Sequence, residues 1–306
     1  MCMYVPMLQR FYINSIFHIN NTFTLRLLKS VGCIVPLRRS FQCSITALRY
    51  LADRRQEASE LPVCTSVWRR AKREHSAYCS VLRDLNIDVI ELPSDELSPE
   101  CPFVNDLAVV TNGTAFICKP ASRQRLKEVE LIRKTIEREI GIRIEEVEDP
   151  TATIEGGDVL FTGDEFFVGI SPRTNEAGAR ALARVFPEFP TIPIKVMCKE
   201  PMKSVISMAG PGIICVSNSK EAQLMKREIE REATRQYQTV TVHDDRAANC
   251  LYANKTLIHR SEFPQSKLEF VRKIDFPRIE LPLTHLSPVN VGLTSLSIMI
   301  EKPKCF

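Results

Sequence analysis

Thr151-Ala-Thr-Ile-Glu-Gly-Gly-Asp-Val-Leu-Phe-Thr-Gly-Asp-Glu-Phe-Phe-Val-Gly-Ile-Ser-Pro-Arg-Thr-Asn175 reads as two short strands around a tight turn. The strands are predicted at Asp158–Phe161 and Phe166–Ile170, and Thr162-Gly163-Asp164-Glu165 between them has turn chemistry. Gly156-Gly157 precedes the first strand, where a side chain would obstruct either an unusual backbone angle or a close neighbour. Glu155 and Asp158 flank the glycines, and Arg173 leaves the second strand just before a helix. Charges therefore converge where an apolar hairpin ends. On this stretch alone that pattern fits a binding site and a hairpin with solvated charges equally well.

The same grammar recurs on both sides. Upstream, helical spacing over Thr65–Leu85 leads to a strand at Asp88–Leu92 and then a Pro-punctuated acidic loop, Pro93–Pro102. Strands at Leu107–Val110 and Ala115–Cys118 enclose Asn112-Gly113, a strong hairpin signal, and a helix at Ser122–Ile140 and a strand at Arg143–Val147 follow. Downstream come a helix at Asn175–Phe186 with Asn175 as its cap, then strands at Ile192–Val196 and Gly212–Val216. A helix at Lys220–Thr234 and a strand at Thr239–Val242 precede a hairpin over Cys250–His259. A helix at Pro264–Phe270 and strands at Arg278–Leu281 and near Leu296–Ile300 complete the chain. Hairpin, helix and strand repeat at a spacing of about 45–55 residues, the signature of repeated supersecondary units in an α/β chain.

Charge is unevenly placed. Residues 1–52 hold six basic residues and no acid, so the remaining 35 Lys and Arg nearly balance all 37 acids of the 306-residue chain. A neutral body argues against nucleic-acid binding. Residues 1–44 are expected to form an extension, compatible with a mitochondrial presequence, a disordered arm or a misassigned start, and residues 45–306 a single domain. Eleven cysteines occur without a Cys-x-x-Cys pair or clustered His, which argues against a zinc site and a disulfide scaffold and for reduced thiols in a reducing compartment such as the cytoplasm. No apolar run reaches the roughly 18–20 residues of a membrane span.

Four segments carry a family resemblance: Cys101–Val110, Thr151–Asn175, Ser207-Met-Ala-Gly-Pro211 and Asp244-Asp-Arg-Ala-Ala-Asn-Cys250. Together they closely resemble dimethylarginine dimethylaminohydrolase (dimethylargininase), from about residue 65 to about residue 301. The resemblance implies a five-bladed α/β propeller, the pentein fold of guanidino-group-modifying enzymes, with its site at the centre of the ring. It implies hydrolysis of asymmetric dimethylarginine or monomethylarginine to citrulline and a methylamine, with no cofactor and no metal. A Cys thiolate would attack the guanidinium carbon, a His would move protons, and carboxylates would hold the cation. By the same resemblance, Glu100, Phe103 and Asp106 line the guanidinium end, and Arg125 and Arg173 hold the substrate α-carboxylate. Read without it, Arg125 is a solvated helix residue and Phe103 a packing residue.

The catalytic positions depart from the family pattern. Asn105 stands where the family has Glu, and Pro201 where it has His. Leu296 falls on the nucleophile, with Ser295 on the neighbouring Cys, and Asn290 lies near the position of a missing Asp. In a serine hydrolase the loss of one core triad member costs about 10⁶-fold. The expectation is therefore a pseudoenzyme that binds arginine or a methylated arginine. Residual hydrolysis, rescued by Cys198 or His285, and a non-catalytic scaffold contacting protein partners through its outer helices are the alternatives. No membrane or nucleic-acid partner is expected.

Overall fold

A computed structural model describes residues 42–46, 61–92, 100–286 and 290–301. Strand β1, Gln42–Thr46, is followed by the 24-residue helix α1, Leu61–Asp84, and strand β2, Ile87–Glu91. The second unit comprises β3 (Ala108–Thr111), β4 (Thr114–Ile117), α2 (Leu126–Thr135) and β5 (Arg143–Glu146). The third is β6 (Val159–Phe161), β7 (Phe166–Ile170), α3 (Glu176–Val185) and β8 (Thr191–Lys195). The fourth is β9 (Ile206–Gly210), β10 (Ile213–Ser217), α4 (Lys220–Glu232) and β11 (Gln238–Val242). After a single turn of helix, α5 (Asp245–Ala248), the fifth has β12 (Leu251–Ala253), β13 (Thr256–Arg260), α6 (Pro264–Lys273) and β14 (Arg278–Leu281). Strand β15, Ser297–Glu301, comes last.

These elements form five three-stranded sheets with one pattern. An antiparallel hairpin is followed by a helix that returns the chain to pair parallel with the hairpin's second strand. The remaining sheet obeys the same rule with its hairpin cut open. There β15 pairs antiparallel with β1 while β1 pairs parallel with β2. One blade is thus built from both ends of the described chain, which makes the five-bladed α/β propeller a circular repeat. Five buried hydrophobic clusters accompany the five sheets. Buried polar bonds also tie blade to blade: Glu165 accepts from Thr234 N at 3.0 Å and from the Tyr237 hydroxyl at 2.7 Å.

The turn chemistry explains the tight hairpins. Asn112 and Gly113 both take positive φ, 48° and 73°, the pair of angles a two-residue hairpin of this hand requires. Asn254 and Lys255 do the same at 42° and 64°, an unusual conformation for a lysine. The Asn175 side chain accepts from Gly178 N at 2.9 Å and caps α3 as its sequence position predicted.

Two expectations need correction. The predicted helix Ser122–Ile140 is a composite of a 3₁₀ turn at Arg123–Arg125, α2, and a wide π turn at Ile136–Ile140 that closes on Gly141 at φ 69°. The boundary between extension and domain at 44/45 cuts through β1, the central strand of its sheet. Gln42, Cys43 and Ser44 therefore belong to the propeller, and the rest of the expected extension lies outside the described residues.

Candidate functional site

The five blades present equivalent segments to one cavity. In each blade the residues just before the first hairpin strand form a short turn: Val104–Asp106 before β3, Gly156–Asp158 before β6, Met202–Ser204 before β9, α5 with Asn249 before β12, and Thr294-Ser295 before β15. Residues from all five line a cavity of about 360 Å³. That size lies at the lower end of the range for small-molecule sites.

The glycine pair shows why the turns can meet. Neither Gly156 nor Gly157 has a positive φ, so backbone freedom is not what they supply. A Cβ on Gly156 would collide with the Asn105 carbonyl oxygen, and one on Gly157 would lie 2.5 Å from Asp106 Oδ1. Close approach is the reason. It brings the turn carrying Asn105 and Asp106 against the turn flanked by Glu155 and Asp158.

Every residue expected at the binding end lines this cavity: Glu100, Phe103, Asp106, Arg125 and Arg173. Arg125 is buried, at 3% exposure, so it is no solvated helix residue. Nor is it an open fork. It donates from Nη1 to Asp106 Oδ2 at 2.8 Å, from Nε to Glu128 at 3.1 Å, and from Nη2 to the Phe103 carbonyl at 2.9 Å. Glu100 Oε2 lies 3.3 Å from Nε. With Nη2 also reaching the Glu100 carbonyl at 3.4 Å, four of its five N–H groups are engaged. In this structure the carboxylates around Arg125 come from the chain itself.

Arg173 is the contrasting case. Nη1 donates to the Lys199 carbonyl at 3.0 Å, while Nε and Nη2 are buried without a hydrogen-bond partner among the described residues. Glu155 and Asp158 lie 4.0 and 3.8 Å from Nε, beyond hydrogen-bond reach. A buried donor left unmade costs about 1–3 kcal/mol, so this guanidinium is poised for an anion.

The carboxylates share the strain of burial. Burial, reinforced by the Asp106 charge, raises the Glu155 pKa to about 7. Asp158 is pushed upward by burial, while hydrogen bonds from Ser171 (2.7 Å) and Met202 N (2.9 Å) oppose the shift. Lys203 is lowered to about 8 by burial and donates to Asn105 Oδ1 at 2.8 Å. Asn105 N in turn donates to the Ser295 carbonyl at 3.3 Å. Asn249 Nδ2 holds two further turns together, donating to the Lys203 carbonyl and to Thr294 Oγ1, each at 2.8 Å. Lys203 and Asn249 were missed as cavity residues from sequence, although both sit within or beside the quoted motifs.

The residues at the expected catalytic positions divide. Asn105 and Pro201 line the cavity, and so does Ser295. Leu296 does not: it is fully buried in the hydrophobic cluster beneath α1. Of this pair it is Ser295, and not Leu296, that lines the cavity. Both residues lie in the turn that precedes β15, where Ser295 N donates to the Gly292 carbonyl at 3.1 Å. Neither rescuer reaches the cavity. Cys198 lines an adjoining one of about 290 Å³ and donates its thiol to the Glu200 carbonyl at 3.3 Å, with its pKa raised by burial. His285 is bound to Glu74 through Nδ1 at 2.8 Å.

Five hairpin–helix–strand blades around a polar central cavity define a protein of the pentein fold. Solved structures agree: a Cys-to-Ser mutant of dimethylarginine dimethylaminohydrolase from Pseudomonas aeruginosa, complexed with citrulline, aligns with a TM-score of 0.72 at 23% identity, over 85% of this chain and 100% of that one. The N-terminal domain of the cyanobacterial arginine dihydrolase ArgZ, in a substrate-bound mutant, aligns with a TM-score of 0.72 at 15% identity, over 86% and 100%. The family model for eukaryotic N,N dimethylarginine dimethylhydrolase matches residues 64–262. The putative hydrolases DDAH2 of Bos taurus and Homo sapiens are each 33% identical over 242 residues, covering 76% of this chain and 85% of theirs. The chain belongs to the dimethylarginine dimethylaminohydrolase family. Among its described residues no helix is long and apolar enough to cross a membrane.

Proposed function

We propose that this family member binds arginine or a methylated arginine in the central cavity and does not hydrolyse it. The observation that carries the reading is Arg173, whose buried Nε and Nη2 lack partners among the described residues at the wall of a cavity also lined by Asp106 and Glu155. An amino acid with a cationic side chain fits both demands: its carboxylate completes the Arg173 fork and its guanidinium meets the acids.

The loss of chemistry rests on what lines the same cavity. Attack on a guanidinium carbon needs an activated nucleophile and a group that moves its proton. At the three corresponding places the cavity offers Asn105, Pro201 and Ser295. An amide cannot act as base, proline has no side-chain donor or acceptor, and an unassisted hydroxyl is a weak nucleophile. Asn105 in place of a carboxylate also removes a charge-assisted hydrogen bond of about 1.5–3 kcal/mol. Binding should accordingly be weaker than with the carboxylate by roughly ten- to a hundredfold.

One observation favours a second reading, slow hydrolysis. Lys203 shares the cavity with Ser295, and its pKa of about 8 leaves an appreciable neutral fraction that can accept a proton. Citrulline formation from asymmetric dimethylarginine by the purified protein separates the two. The binding reading expects none above the uncatalysed rate, and turnover within about 10²-fold of an ordinary hydrolase (roughly 10 s⁻¹) would overturn it.

A further inference from the structure

On the outer side of the blade built from both ends of the described chain, three metal-ligating side chains converge away from the central cavity. His75 and Cys79 stand one turn apart on α1, so the helix places them on the same face. Both are buried, at 4% and 0% exposure. Glu91, the last residue of β2, brings a carboxylate alongside, and one ligand atom from each of the three lies within 4.8 Å of the others. We propose that His75, Cys79 and Glu91 form a binding site for a zinc-like divalent transition-metal ion that pins α1 to β2.

The donor chemistry selects the ion. One nitrogen, one sulfur and one oxygen suit borderline-soft Zn²⁺, whereas Ca²⁺ and Mg²⁺ require sets of oxygens. Zinc bonds of about 2.0–2.3 Å at tetrahedral angles hold sulfur and nitrogen roughly 3.5 Å apart. Here Cys79 Sγ lies 3.8 Å from both ring nitrogens of His75, so a small rotation of the ring presents either one to the ion. The imidazole binds a metal ion in its neutral form, through whichever ring nitrogen faces the ion. Coordination would release the Cys79 thiol proton to solvent, and a water would take the fourth position on the exposed Glu91 side. Glu91 Oε1 is paired with Arg83 at 2.5 Å, so Oε2 is the oxygen available to the ion.

The consequence is mechanical. Strand β2 is the edge of the sheet whose other strands, β1 and β15, come from opposite ends of the sequence. An ion bridging α1 and β2 would strengthen the blade with the least chain continuity. The sequence reading against zinc looked for Cys-x-x-Cys pairs, and a His-x₃-Cys pair with a distant Glu lies outside that pattern.

Cobalt titration of the full-length, chelator-treated protein tests this. The expected result is one Co²⁺ per chain with a thiolate-to-cobalt band in the near ultraviolet and the intense visible bands of four-coordination, both displaced by Zn²⁺. Cys79→Ser should abolish the thiolate band, and Cys198→Ser should leave it intact. Because buried variants can fail to fold, Glu91→Gln is the exposed probe: it should weaken Zn²⁺ binding at least tenfold and shrink the Zn²⁺-induced rise in melting temperature. No thiolate band with wild type, the same band in folded Cys79→Ser, or unchanged affinity in Glu91→Gln would overturn the proposal.

Discussion

Arg125 donates from Nη1 to Asp106 Oδ2 at 2.8 Å, a buried ion pair between residues expected at opposite ends of a bound ligand. The pair makes Arg125 part of the cavity wall. It also sets the turn Val104–Asp106 in place, because the same guanidinium holds the Phe103 carbonyl. Arg125→Ala should therefore act on stability first. Removing one partner of a buried pair costs about 3–5 kcal/mol, and here Asp106 and Glu128 would both be left uncompensated. Urea unfolding checks it, and a loss below about 1 kcal/mol would contradict this role.

Arg173→Ala should behave in the opposite way. Two of its buried nitrogens have no partner among the described residues, so their removal relieves as much strain as it creates and the fold should keep its stability to within about 1 kcal/mol. Affinity for arginine should fall at least tenfold, the worth of one charge-assisted hydrogen bond or more. Thermal melts beside equilibrium dialysis of labelled arginine measure both. Equal affinity in the variant would show that the carboxylate lies elsewhere.

Glu155 gives the site a pH signature. Its folded-state pKa is about 7, raised from 4.5 chiefly by burial, so between those values the folded protein holds a proton that the unfolded chain has lost. Its contribution to stability is complete below about pH 4.5 and is lost as pH rises through about 7. At 1.36 kcal/mol per unit the loss is on the order of 3 kcal/mol at most. Glu155→Gln, neutral at every pH, should be more stable than wild type at pH 8 and close to it at pH 4.5. Denaturation midpoints across that range report it, and parallel profiles for the two proteins would refute the assignment.

Much of this architecture is legible in the chain. The hairpin Val159–Ile170 and the turn at Asn112-Gly113 are readable because Gly and Asn adopt the positive φ or tight turns that few other residues accept. Strand β1 was not, because Gln42–Thr46 carries no alternation strong enough to mark it and its partners lie in β2 and in β15, some 250 residues away. The site was half legible. The family resemblance named Asp106, Arg125 and Arg173, but only side-chain geometry distinguishes an arginine whose donors the chain already engages from one whose donors it does not. That Ser295 and not Leu296 lines the cavity also escaped sequence, since both lie in the turn before β15 and facing there depends on how that turn folds.

Strand β1 makes its own prediction. Ser44 sits mid-strand between β2 and β15, paired with Val89 and Met299. Ser44→Pro removes a ladder donor from a central strand, which should cost about 3 kcal/mol or more. A midpoint unchanged from wild type would mean that β1 does not complete the ring.

Restoring chemistry tests the loss from the other direction. Ser295→Cys alone should yield no citrulline from asymmetric dimethylarginine, because Pro201 supplies no base. Adding Pro201→His and Asn105→Glu should raise turnover by at least the 10²–10⁴-fold that acid–base assistance typically provides. Activity in the single variant would show that another group on the cavity, Lys203 foremost, already moves the proton.

Calorimetric titration of asymmetric dimethylarginine into the wild-type protein tests the central claim most directly, since binding and turnover leave different traces. Binding without chemistry predicts heats that saturate and return to baseline after each injection, with a Kd of roughly 0.1 to a few millimolar, about 3.5–5.5 kcal/mol. A sustained heat flow proportional to protein concentration would reveal an active hydrolase, and an absence of any binding heat would reveal an empty cavity; either result would contradict the account.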